Sequence, residues 1–99
     1  MNNRSTLRVS STTSVKKLAS AIILALGNSP QIEVTAIGAS AVNAAVKGIA
    51  SANGLAAMSN CVLKTTPFFK IVCLDNVVKQ GDEGEERTAI VFLVMKEEV

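Results

Sequence analysis

The sequence predicts an α/β fold of the α+β two-layer type, β-α-β-α-β-β, with two helices packed on one face of a mixed four-stranded sheet. Three observations carry this. Apolar residues alternate with period two in Thr6–Ser10 and again in residues 31–37, a segment with helical spacing follows each of them, and turn residues mark the boundaries. The chain has 99 residues, at the lower end of domain sizes, so one domain over residues 1–99 is expected.

The elements follow in order. Thr6-Leu7-Arg8-Val9-Ser10 alternates as a half-buried strand does, Leu7 and Val9 on one side and Arg8 on the other. The Ser10-Ser11-Thr12-Thr13-Ser14 run supplies N-cap candidates for a helix with the stripe Val15, Leu18, Ala19, Ile22, Leu26. Gly27-Asn28 ends it, with Pro30 beyond. Residues 31–37 form the second strand, Ile32 and Val34 facing one way, Glu33 and Thr35 the other. Gly38-Ala39-Ser40 turns into a second helix over Ala41 to Asn53, with Gly54 at the C′ position. Its core stripe reads as Val42, Ala45, Val46 and Ile49. Ala41, Ala44, Gly48, Ser51 and Ala52 leave the other sides small enough for close approach to a sheet or a second copy.

Beyond Gly54 the pattern turns to β. Cys61-Val62-Leu63 and Phe69 to Leu74 read as strand, interrupted or bent around Thr66-Pro67, because proline cannot donate to a ladder. Val77 and Val78 extend it, 80–84 forms the hairpin tip, and Thr88 to Lys96 returns as the last strand. That strand is apolar on both faces from Ala89 to Met95, so one face covers the helices and the other calls for a neighbour.

Composition narrows the function. No histidine is present, which removes Ser-His and Cys-His nucleophile pairs and imidazole metal ligands, so an enzyme is not expected. Gly38-Ala39-Ser40-Ala41-Val42 sits where a nucleophile elbow would, but Val42 stands where that motif needs glycine. Charged residues are 18% of the chain, below the roughly 25% usual for soluble domains. So sparse a charged surface suggests burial against a partner, and an oligomer is expected. The apolar run Ala21 to Leu26 is too short for a span, and the polar start leads into no secretory h-region. Cys61 and Cys73 lack a paired spacing and read as small apolar residues of a reduced, cytoplasmic protein. No metal or cofactor is expected, nor a membrane or small-molecule partner.

Charge is polarised along the chain. Residues 1–70 carry seven cations against Glu33 alone, a net of +6, whereas residues 71–99 carry three cations against seven carboxylates, a net of −4. Lys16 and Lys17 open the first helix, where cations oppose the helix dipole. Asn43 and Lys47 share one face of the second helix, an arrangement suited to a phosphate backbone or, equally, a solvated face. Gly38 and Ser40 either make and cap the turn or present free N–H groups to a phosphate. Asp82, Glu83, Glu85 and Glu86 read as a solvated turn rather than a cation site.

Leu7-Arg8-Val9-Ser10-Ser11 with Ser14-Val15, Ala36 through Lys47, and Gly84-Glu85-Glu86-Arg87-Thr88-Ala89-Ile90 resemble the stage V sporulation protein S family. The resemblance runs from Leu7 to Val94. That family is similar in fold to the Alba chromatin proteins, which are dimers that bind DNA or RNA. The resemblance implies backbone contacts from Lys16 and Lys17 and from Gly38, Ser40, Asn43 and Lys47. It also places Arg87 at the base of a hairpin arm, and Arg8 joins the set as a neighbouring cation. The acidic tip departs from an arm that enters a groove, since phosphates repel it, and the 55–83 stretch is longer than in typical relatives. No exposed aromatic platform for stacking bases is evident, because Phe68, Phe69 and Phe92 fall in apolar strand context. The expected function is a non-enzymatic, homodimeric regulator binding nucleic acid without base specificity, cytoplasmic, with association with the nucleoid as the alternative. The rival expectation is a protein-interaction or assembly module of the same fold.

Overall fold

A computed structural model of the chain describes residues 5–74 and 85–99. The elements run β1 (Ser5–Val9), α1 (Val15–Asn28), β2 (Gln31–Ala36), α2 (Ala39–Ala57), β3 (Cys61–Leu74) and β4 (Glu85–Glu98). The sheet order is β1-β2-β4-β3. β1 lies parallel to β2, and β4 is antiparallel to both β2 and β3. Both helices pack on one face of this mixed sheet, as the sequence predicts.

Among the hydroxyls before α1, Ser14 is the cap. Its extended backbone lets Oγ accept the Lys17 N–H at 3.3 Å. Thr13 is used otherwise, since its hydroxyl accepts the Ser10 N–H at 2.8 Å and closes the turn leading in from β1. Leu18, Ala19, Ile22 and Leu26 then bury one stripe. The helix ends at Asn28, where the Ser29 N–H reaches back to Ala25 at 3.0 Å before Pro30.

α2 departs from expectation at both ends and on its core face. It begins at Ala39 and runs through Gly54 to Ala57. Glycine inside a helix costs about 1 kcal/mol relative to alanine, and two contacts on either side of it oppose this. Ala56 is buried, and Asn53 Oδ1 accepts the Leu63 N–H at 2.9 Å, pinning the last turns to β3. The left-handed residue is instead Asn60, at φ 61°. The buried face consists of Ala41, Ala44, Ala45, Gly48, Ala52 and Ala56, while Val42 and Ile49 are half-buried and Val46 is exposed. The reason is the distance to α1. A Cβ on Gly48 would lie 2.7 Å from Leu18 Cγ, so only small residues fit at this crossing.

β3 is continuous through Pro67, which pairs in register with Phe92. The sheet order explains the tolerance. β3 is an edge strand, and such a strand turns every second N–H away from its neighbour, so proline can occupy an outward slot. β4 is the central partner, and its two faces have different fates. Ile90, Phe92 and Val94 lie beside Ala36, Val34 and Ile32 and join the helix-side core. On the other face Ala89 and Val91 are also fully buried, with Val91 flanked by Thr35 and Phe68. Leu93 and Met95 on the same face are half-buried, so the chain itself covers this face of β4 at Ala89 and Val91. Val77, Val78 and the expected hairpin tip lie outside the described residues.

Candidate nucleic-acid interface

Two groups of polar side chains emerge, on opposite layers. The first belongs to the helices. Lys16 and Lys17 occupy the first turn of α1 and are exposed. With Ala19 and Ser20 they line a groove of about 560 Å³, whose far wall is Ser51 and Leu55 of α2. The close crossing of Leu18 and Gly48 brings these walls together. Lys47 stands one turn before Ser51, and Asn43 one turn before Lys47, so an exposed polar edge runs along α2 into the groove. Among the described residues, Lys16, Lys17 and Lys47 have no ion pair; those found there are Lys64 with Glu97 and Lys70 with Glu33.

The start of α2 adds backbone donors. Gly38 is the N-cap at φ 92° and ψ 156°, a conformation that L side chains rarely adopt, and no side chain caps this end. The first helical bond runs from the Val42 N–H to the Gly38 carbonyl at 3.0 Å. The N–H groups of Ala39, Ser40 and Ala41 thus lack intrahelical acceptors, at the positive end of the dipole. Ser40 lies inside the first turn and is exposed, so it does not cap the helix.

The second group occupies the helix-free face of the sheet. Arg8 pairs in register with Thr35 on β2, and Arg87 with Val72 on β3. Strand alternation puts Thr6, Arg8, Glu33, Thr35, Lys70, Val72 and Arg87 together there. Arg8, Thr6, Thr35, Lys70 and Val72 line a hollow of about 580 Å³. Lys70 Nζ lies 3.7 Å from Glu33 Oε1.

The predicted set thus divides. Lys16, Lys17, Asn43 and Lys47 lie in the helix layer, whereas Arg8 and Arg87 point to the opposite face. Sequence reasoning missed Lys70, whose position follows from treating β3 as unbroken: Phe68, Lys70 and Val72 then alternate onto the face that carries Arg8. Of the predicted acidic cluster, Asp82 and Glu83 lie outside the described residues, and Glu86 is exposed. Among the described residues no cluster of histidine, cysteine and carboxylates could hold a metal, and no helix is long and apolar enough to cross a membrane. Cys61 and Cys73 both lie on β3, the first buried and the second exposed. Residues 5–97 match the family described as Stage V sporulation protein S (SpoVS).

Proposed function

The chain belongs to the stage V sporulation protein S family, and from that premise we propose that this small sporulation-related regulatory protein is a non-enzymatic homodimer that binds nucleic acid through its phosphate backbone. The observation that carries the reading is the groove edged by Lys16 and Lys17, continued along α2 by Lys47 and Asn43. Exposed ammonium groups without carboxylate partners can exchange their counterions for phosphates, which gives affinity without base readout. The uncapped amides of Ala39, Ser40 and Ala41, which follow the Gly38 turn, supply further donors of the kind that phosphates accept.

The apolar residues left exposed suit a second copy. Phe69 and Ile71 on β3 are 75% and 67% exposed, and Val46 on α2 is 49% exposed. The larger aliphatic edge of α2 and the neighbouring side of β3 thus take the interface role expected of β4 and of the small face of α2. The same surface also favours a second reading, an assembly module that holds another protein and no nucleic acid.

Filter binding to duplex DNA and duplex RNA across a salt series tests the first reading. Three lysines from each of two protomers set an upper limit of about −5 on the slope of log affinity against log salt. Lys16→Ala/Lys17→Ala, which removes four of those six lysines from the dimer, should reduce the magnitude of the slope by up to about 3.6, with a uniform loss across sequences. Absence of binding at low salt would sink it, and a protein partner recovered after nuclease treatment would favour the second.

A further inference from the structure

We propose that the hollow on the helix-free face of the sheet is a binding site for a phosphate monoester attached to a small apolar or planar body, of mononucleotide size. This goes beyond the backbone contacts of the helix layer and does not rest on them.

Three strands build the site. β1 supplies Thr6 and Arg8, β2 supplies Thr35, and β3 supplies Lys70 and Val72. The residues lie far apart in sequence; the register sets Thr6 beside Glu33 and Arg8 beside Thr35, and Lys70, on the far side of β4, reaches across that strand to Glu33. Arg8 has no carboxylate within ion-pair distance among the described residues. Its guanidinium offers the forked donor pair that matches two phosphate oxygens. Lys70 adds a second cation. The largely buried carboxylate of Glu33, 3.7 Å away, restrains that ammonium at the hollow while leaving its side chain 52% exposed. Two cations against one carboxylate leave the site net positive, so a dianion is favoured over a neutral ligand. The hydroxyls of Thr6 and Thr35 are further donors of a length suited to a phosphate oxygen.

The rest of the lining explains why a bare anion underuses the site. Ile37 and Val72 give the hollow an apolar side beside the cations, against which a base or similar flat group can lie. A volume of about 580 Å³ falls within the range of small-ligand pockets. A duplex, convex on its outside, would rest on the rim of such a hollow and leave the floor empty. The phosphate monoester has two natural sources, a free mononucleotide or the terminal phosphate of a single strand.

The test is a titration of the full-length protein, followed by backbone amide NMR, with adenosine monophosphate, adenosine and a 5′-phosphorylated trinucleotide. The expected result is saturable shifts at Thr6, Arg8, Thr35 and Val72 with the monophosphate and none with adenosine. Arg8→Gln and Lys70→Gln should each weaken binding roughly tenfold, the value of a lost hydrogen bond to a charged group. The same spectra report whether each variant is folded. Lys16→Ala/Lys17→Ala should leave this binding unchanged even where it abolishes duplex binding, so the two readings fail separately. Tighter binding of the trinucleotide identifies a strand terminus as the source, and equal or weaker binding a free nucleotide. No saturable shift at millimolar monophosphate overturns the site. So do shifts confined to the groove of Lys16, Lys17 and Ser51, or undiminished affinity in both glutamine variants.

Discussion

β2 presents two different surfaces on alternate residues. Ile32, Val34 and Ala36 face the helices and are sealed from water, whereas Glu33 and Thr35, set between them, face a side that no helix covers. The helix side is built by exclusion, with small residues on α2 admitting α1 until Gly48 touches Leu18. The far side also buries Ala89 and Val91, yet beside them it keeps Arg8, Lys70, Glu33 and Thr35. The contrast separates two kinds of surface: one face is closed by apolar packing, and the other keeps charged and hydroxyl groups beside its buried residues.

The sharpest way to break this contrast is to hollow out the sealed side. Ile22 is fully buried in α1, and Ile22→Ala should cost about 2–5 kcal/mol in urea unfolding. A loss close to that of an exposed residue would show that the helix layer is not the main source of stability. Overpacking probes the same contact from the opposite direction. Gly48→Val should cost about 1–3 kcal/mol, because the Leu18 side chain is itself buried and has little room to move. An unchanged melting temperature would mean that α1 and α2 separate easily. A neighbouring pair on β2 then compares the two faces directly. Val34→Thr places a hydroxyl in a site fully closed to water and should cost about 1–3 kcal/mol. Thr35→Val, one residue along and facing the other way, should fall within about 0.5 kcal/mol of the parent. Equal costs for the two would remove the distinction.

Legibility followed residue size and locality. The α1 stripe was visible because Leu18, Ile22 and Leu26 are large and recur at helical spacing, and Ser14 was among the expected caps. On α2 the stripe expected from the sequence holds at Ala45 and in part at Val42 and Ile49, which pack half-buried against the core, but Val46 is exposed and the centre of the buried face shifts to alanine and glycine, which any hydropathy count underweights. What decides the face is the approach of α1, which no local pattern contains. Pro67 reads as a break until β3 is known to be an edge. Likewise, Lys16 and Lys17 stood out by their position at a helix start, whereas Lys70 joined Arg8 only through the register that carries β3 beside β4 and β4 beside β2.

By itself the sequence determined the order and type of the elements, the absence of imidazole chemistry, the division of charge along the chain and the motifs that mark its family. These are properties of near neighbours, set by backbone preferences and side-chain periodicity over a few residues. Only the tertiary structure decided which face of α2 is buried, that the far side of β4 is covered within the chain at Ala89 and Val91, and that the cations form two groups on opposite layers. Those outcomes depend on pairings between residues as distant as Arg8 and Thr35, or Glu33 and Lys70, and such pairings exist only once the strands have paired in register.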